Sequence, residues 1–242
     1  MSHDGHRHIL AIGGGGFVPT ERYGARPGPL VDHALSLTGA ERPKVCALYT
    51  ATADDPARIA AFYAAWAGTA ARPSHLALFP MPSVDDVRAH LLSQDAVYVG
   101  GGSVANLLAV WRVHGLDEVM REAWHAGVVL FGVSAGSLCW FAGGTTDSFG
   151  PQLRPFANGL GLLPTSNCPH YDSERRRRPL YQQLVASGEL PGGMAADDGV
   201  GLHYVDDELA GAVADRPGAG AWRVERDAGG TAVETRVEPR LL

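Results

Sequence analysis

The sequence predicts an α/β fold: a three-layer sandwich with a mostly parallel central sheet, a nucleophile elbow and a C-terminal antiparallel edge. Three observations carry this. Between residues 7 and 133, short apolar runs alternate with stretches of helical periodicity. That pattern implies parallel strands, right-handed crossovers and helices on both faces of the sheet. Residues 128–133 form a nearly unbroken apolar run, as a strand buried on both faces requires. After residue 205 the helical texture ends, and short runs separated by turns replace it.

Residues 7–12 read as the first strand, and the glycines at 13–16 as a flexible loop at the active-site edge of the sheet. They lack the G-x-G-x-x-G spacing of a dinucleotide site and the lysine of a P-loop. Residues 30–37 read as a helix and 44–49 as a second strand, followed by a loop rich in capping residues. Residues 56–67 form an alanine-rich helix, whose Ile59, Phe62, Tyr63 and Trp66 at helical spacing suit a core face. A third strand (74–79), a helix (84–92) and a fourth strand (96–99) lead to the turn Gly100-Gly101-Gly102-Ser103. Helices over 104–113 and 116–125 precede the elbow strand, and residues 138–141 continue from the elbow as an apolar helix start. Residues 145–150 are polar and turn-like, and 151–169 rich in loops. A helix over 180–186 and strands at 201–204, 209–214, 221–226 and 231–237 complete the chain.

The chain has 242 residues, 45% of them hydrophobic and 19% charged, enough for a sizeable core. No linker, repeat or low-complexity tract divides it, so one domain over 1–242 is expected. Residues 1–7 form a frayed start, His3, His6 and His8 lie on that end, and 206–242 form a C-terminal strand extension. A net charge of −6 argues against a nucleic-acid surface. No run reaches the ~18 apolar residues of a membrane span. The N-terminus lacks the basic start and apolar core of a signal peptide, so a cytoplasmic protein is expected. Cys46, Cys139 and Cys168 are far apart and read as buried thiols. The ten histidines include no H-E-x-x-H or comparable pair, so neither metal nor cofactor is expected.

The chemistry is centred on Gly132-Val133-Ser134-Ala135-Gly136, a G-x-S-x-G between a strand and a helix. A side chain at 132 or 136 would collide with the backbone of so sharp a turn. The turn puts Ser134 at the carboxyl end of a strand, where sites of such sheets lie. The Ala135 amide and the helix dipole favour negative charge there, and the glycine turn at 100–102 opens at the same edge. The amides of Gly101 or Gly102 and of Ala135 are therefore candidate oxyanion donors. A serine nucleophile needs a base, and the base a carboxylate. His170 follows the elbow in a Pro-His-Tyr loop and is favoured on position over His114, His125 and His203. Asp198, its neighbour Asp197, and Asp147 are the candidate acids. The run Arg175 to Arg178 reads either as a solvated helix face or as a grip on a substrate carboxylate.

Residues 99–108 (VGGGSVANLL), 132–137 (GVSAGS) and 167–171 (NCPHY), in that order and spacing, resemble the peptidase E (aspartyl dipeptidase) family. That family is related to cyanophycinases and has a fold similar to class I glutamine amidotransferases. The resemblance spans roughly residues 8–205. It implies a serine peptidase with Ser134 as nucleophile, His170 as base, and Gly101, Gly102 and Ala135 as oxyanion donors. It implies Asp198 as the acid, where several relatives carry glutamate, with Asp147 near another acid of the family. The amidotransferase relatives use cysteine at the elbow, where this chain has serine. In the aspartyl dipeptidases an arginine after the base contacts the substrate's N-terminal aspartate, and Arg175 and Arg176 lie in the comparable region.

The expected activity is hydrolysis of small peptides, above all dipeptides with N-terminal aspartate. The expected partner is a small peptide substrate, with no nucleic acid and no membrane, and a homodimer is compatible with such a chain. The alternatives are a related serine hydrolase acting on another amide or ester, β-aspartyl or cyanophycin-like, and a noncatalytic amidotransferase-like binding module.

Overall fold

The computed structural model describes residues 5–21 and 24–242. The first strand, β1 (His8–Ile12), is buried along its whole length. The expected frayed start falls partly on residues 1–4, His3 included, which lie outside the described residues. The rest of it is held: Arg7 Nε donates to Asp206 Oδ1 at 2.7 Å, and His6 Nδ1 lies 3.2 Å from Asp206 Oδ2. His8 is a buried strand residue rather than part of a frayed end.

A small hairpin of β2 (Phe17–Pro19) and β3 (Ala25–Pro27) precedes α1 (Pro29–Ser36). After β4 (Lys44–Leu48), Asp55 accepts the Ala57 amide at 2.9 Å and starts α2 (Pro56–Ala65), with Pro56 in its first turn. β5 (Arg72–His75) stops short of the expected residue 79. The reason is Asp54, whose buried carboxylate captures the amides of Leu78 and Phe79 and draws the chain off the sheet. Asp86 caps α3 (Val87–Leu92), and Ser103 caps α4 (Val104–Val113) after β6 (Ala96–Val99). α5 (Leu116–His125), β7 (Val129–Val133) and the four-residue α6 (Ala135–Leu138) follow.

Beyond α6 the structure departs from expectation. Phe141, read as part of the continuing helix, and Thr145 and Thr146, read as the start of a polar turn, fall in a strand, β8 (Phe141–Thr146), while residues 147–150 keep the expected turn. The missing side chains of Gly143 and Gly144 let the carbonyls of Phe156 and Asn167 close on this strand. The loop-rich stretch holds β9 (Arg154–Phe156) and β10 (Leu163–Cys168). α7 (Arg177–Ser187) leads to β11 (Gly193–Ala196), β12 (Val200–Val205), β13 (Glu208–Ala214), β14 (Ala221–Arg226), β15 (Ala232–Val237) and β16 (Arg240–Leu241).

These strands make two large sheets. The first has the order β16-β13-β12-β1-β7-β6-β4-β5, parallel from β1 to β5 and antiparallel where β12 joins β1 and β13 joins β12. The second has the order β15-β14-β11-β10-β8-β9. The C-terminal strands are thus shared between both sheets rather than forming one edge. One face of the first sheet packs Leu10, Ile12, Phe131 and Tyr98 against Leu30, Val31, Phe62 and Trp66 of the α1–α2 side. The other face packs Val97, Val99 and Leu130 against Leu107, Trp111 and Met120 of α4 and α5, and this core continues to Phe141, Leu163 and Met194 of the second sheet. Alternation along β1, with Ile9 and Ala11 on one face and Leu10 and Ile12 on the other, sorts the two cores. No helix among the described residues is long and apolar enough to cross a membrane.

Candidate active site

Ser134 stands between β7 and α6 with φ 57° and ψ −117°, a conformation that a non-glycine residue holds only under constraint. Three neighbours supply it. The Ser134 amide donates to Ile12 O at 3.1 Å, its carbonyl accepts Ser137 Oγ at 2.8 Å, and two glycines flank it. A Cβ at Gly132 would lie 2.7 Å from Val99 O, and one at Gly136 would overlap the same oxygen. The elbow therefore needs both glycines because β6 runs directly alongside it. α6 is only one turn long, so the Ala135 amide itself, more than a helix dipole, is what meets charge there.

The 100–102 turn closes on the serine from β6. A Cβ on Gly101 would stand 3.1 Å from Ser134 Cβ, and one on Gly102, which holds φ 144°, would run into the Ala51 carbonyl. Gly101 and Ala135 thus border Ser134, while Gly102 packs on the 51–52 turn.

His170 lies just past β10, with φ 56°. Its Nδ1 is 2.6 Å from Asp198 Oδ1. Both side chains keep partial access to solvent, at 21% and 38% exposure. Gly14 backs the pair: its Cβ would overlap Asp198 Oδ1 and lie 2.9 Å from His170 Nδ1. The Gly14 carbonyl accepts the Gly199 amide at 2.9 Å, and the Gly13 amide donates to Val200 O at 2.9 Å. Gly13 and Gly14 are therefore a buttress fixed to the β11–β12 segment, where a flexible loop was expected. Through β1, the Ile12 carbonyl holds Ser134 and Gly14 touches His170, so elbow and pair share one strand end. A second tie is buried: Asn167 Nδ2 donates to Ser137 Oγ at 3.2 Å, joining the strand before His170 to the elbow.

The neighbouring acids separate cleanly. Asp197 is buried and turned to β14, where it accepts the Gly220 amide at 2.8 Å and Trp222 Nε1 at 3.3 Å. Burial raises its carboxyl above the usual 3.8. Asp147 is exposed beyond β8 and has no contact with His170. His203 lies 3.1 Å from His8, His125 bonds Arg7 at 3.2 Å, and His114 caps α4, so none of the three rivals joins the pair.

Two residues that sequence reasoning passed over hold Asp198. Asp172 Oδ1 accepts the Asp198 amide at 2.9 Å, and Arg216 Nε donates to the Asp198 carbonyl at 2.7 Å. Arg216 also pairs with Asp172 Oδ2. This clamp ties the segment after His170 to the segment carrying Asp198. Its only sequence signal was the position of Asp172 two residues after His170.

The arginine run does not act as one face. Arg177 is buried, with its guanidinium on Glu174 at 2.7 Å and on Thr145 O at 2.9 Å. Arg178 pairs with Glu234 and stacks 4.6 Å from the Trp222 ring. Arg175 and Arg176 remain exposed and line a cavity of about 250 Å³ with Asp147, Glu174, Pro151 and Leu153. The three thiols are buried, and burial pushes Cys46 and Cys168 up to about 12 and Cys139 well above its ordinary value.

The model of peptidase family S51 matches residues 9–211. The uncharacterized peptidase YgaJ of Bacillus subtilis (strain 168) is 44% identical over 220 residues, 90% of this chain and 92% of that protein. Peptidase E of Shewanella denitrificans is 29% identical over 140 residues, 57% of this chain and 54% of that protein. Among solved structures, a peptidase from an acI-B1 actinobacterium has the same fold, with a TM-score of 0.69 at 15% identity over 97% of this chain and 95% of that one.

Proposed function

This chain belongs to peptidase family S51, and from that membership we propose that it is a serine exopeptidase acting on small peptides, above all dipeptides with N-terminal aspartate. The observation that carries the reading is the 2.6 Å contact of His170 Nδ1 with Asp198 Oδ1 at the strand end that also holds the Ser134 elbow. Ser134 Oγ attacks the peptide carbonyl while His170 Nε2 takes its proton. Asp198 fixes the tautomer with Nδ1–H toward the carboxylate and stabilises the imidazolium. The carbonyl oxygen, now negative, is held by the amides of Gly101 or Gly102 and of Ala135. Collapse of the tetrahedral species expels the amine, which receives the proton from His170. Water then attacks the acyl-serine by the same route and restores Ser134. Selectivity for aspartate is assigned to Arg175 or Arg176, since Arg177 and Arg178 are engaged in internal pairs.

A related serine hydrolase with another amide or ester substrate is the second reading. It is favoured by the Arg176 guanidinium, which already donates to Pro151 O at 3.2 Å and leaves Arg175 as the less engaged cation. A glutaminase-like thiol chemistry is disfavoured by the burial of Cys139.

The test is hydrolysis of Asp-Leu, Leu-Leu, Glu-Leu, β-Asp-Leu and acetyl-Asp-Leu, with Ser134→Ala as control. Cleavage restricted to Asp-Leu and absent from the variant is the expected result. Full activity in the variant would remove Ser134 from the mechanism, and turnover of other members would move the substrate to the second reading.

A further inference from the structure

On the α1–α2 face of the first sheet, a cavity of about 200 Å³ opens between the β2–β3 hairpin, α2 and the ends of β4 and β6. It is smaller than the ~300 Å³ floor of drug-sized sites and suits one amino-acid residue. Its walls are aromatic: Phe17, Tyr49, Phe62 and Tyr98. Tyr98 packs parallel to Phe62 at 6.1 Å between centroids and edge-on to Phe17 at 5.5 Å and to Tyr49 at 6.0 Å. The rings form a fixed box rather than a loosely filled gap.

Two polar features break the apolar lining. Tyr98 is only 5% exposed, and neither its hydroxyl nor that of Tyr49 meets a hydrogen-bond partner among the described residues. Neither oxygen is sealed from solvent, so both are open to a ligand in the cavity. Arg58 lines the same cavity from α2. Its charge acts on both phenols and opposes the rise that burial imposes on each. Among the described residues Arg58 is held only by a 4.0 Å contact to Asp55, which leaves donors for a ligand. An apolar box with two unpaired phenols and a guanidinium is complementary to an apolar group that ends in a carboxylate.

The box also adjoins the proposed chemistry. The Tyr49 ring lies against Gly100, where a Cβ would stand 2.6 Å away, and the next glycine, Gly101, abuts Ser134. The Arg175–Arg176 cavity lies on the other side, where Ser148 Oγ accepts the Ala105 amide of α4 at 3.4 Å.

We infer that the Phe17–Tyr49–Phe62–Tyr98 box receives the residue on the leaving side of the scissile bond, with the side chain against the rings and the C-terminal carboxylate on Arg58 and the two phenols. The inference rests on the proposed peptidase reading, which it extends to the substrate's carboxyl end. A free carboxylate one residue beyond the cleaved bond is then a condition of tight binding, which restricts the enzyme to dipeptides.

The test is direct binding, independent of turnover. N-acetyl-L-leucine carries the amide, side chain and carboxylate of a leaving residue, and N-acetyl-L-leucinamide lacks the charge. Calorimetric titration of the whole protein should show the acid binding at least 10-fold more tightly than the amide. Arg58→Gln, an exposed substitution, should weaken the acid at least 10-fold, Tyr98→Phe a few-fold, and Arg175→Gln not at all. Equal affinity for acid and amide, wild-type affinity in folded Arg58→Gln protein, or no binding of the acid would overturn the inference. Those results would stand even if peptides were cleaved normally. Loss of cleavage in Ser134→Ala with acid binding retained would support both readings.

Discussion

The elbow and the His170–Asp198 pair lie at the same strand end but are built in opposite ways. The elbow is local. Five consecutive residues encode it, and the Ile12 carbonyl of β1 and the Val99 carbonyl of β6 press on the conformation that they set. The pair is non-local. Its two members are 28 residues apart in sequence, and what holds them comes from β1, from Asp172 and from Arg216. A local site tolerates changes elsewhere and fails when its own residues change. An assembled site fails when any one of its distant supports is removed.

The sharpest way to break the comparison lies in three substitutions. Ser134→Ala and Asp198→Asn should each lower kcat by roughly 10⁴-fold, the first by removing the nucleophile and the second by freeing the imidazole tautomer. Asp197→Asn, one residue away, should leave kcat within about 3-fold, because that carboxylate is held by Gly220 and Trp222. Steady-state kinetics on one cleaved dipeptide decides it. Equal losses at 197 and 198 would mean that the whole turn, not the Asp198 carboxylate, matters.

Two glycines separate fold from site. Gly136→Ala drives a methyl into the Val99 carbonyl, which is backbone and cannot yield, so about 3 kcal/mol of stability and roughly 10 °C of Tm should be lost. Gly14→Ala meets the far end of the Asp198 side chain, which can swing away. Its Tm should fall far less, while kcat/KM drops about 100-fold as the pair is displaced. Thermal melts beside activity assays test both. A large Tm loss at Gly14 with intact kcat/KM would show that the glycine run serves the fold alone.

The same contrast explains what the sequence reveals. The elbow, the glycine turn and the parallel half of the sheet were legible because each is encoded by neighbours: G-x-S-x-G, G-G-G-S, apolar runs of strand length. His170 and Asp198 were legible as candidates, but only contact distance separates Asp198 from Asp197. β8 was missed because Gly143 and Gly144 have the local character of a turn, and only the approach of β9 and β10 makes them strand residues. The Arg216–Asp172 clamp had no local signature beyond the place of Asp172 two residues after His170, since two exposed charges 44 residues apart look like any solvated surface pair.

That clamp gives a smaller, more specific prediction. Arg216→Gln removes the donor to the Asp198 carbonyl and the partner of Asp172. It should lower kcat about 10-fold with KM little changed, because in the proposed mechanism Asp198 orients the base and does not contact substrate. Arg216→Lys should recover part of the loss. A change in KM alone, or no rescue by lysine together with a lowered Tm, would make the clamp a structural element only.

The smallest expected effect concerns Asp197 again, through pH. Its folded-state carboxyl is raised above 3.8, first by burial and then by the Asp172 charge, against the lowering effect of the Gly220 amide, Trp222 and Arg216. A raised carboxyl means that the folded state binds the proton more tightly than the unfolded one. The associated stabilisation is complete below the unfolded value and is lost as pH rises through the folded value. Other carboxylates titrate in the same range, so the informative quantity is the stability of wild type minus that of Asp197→Asn, from urea midpoints between about pH 3.5 and pH 7. This difference should fall as pH rises across the lower part of that range and then level off. A rising difference would mean that the charged carboxylate on Gly220 and Trp222 is favoured by the fold, and the sign of the burial argument would reverse. A flat difference would mean that water reaches Asp197 and that the turn holding its neighbour Asp198 is looser than its hydrogen bonds imply.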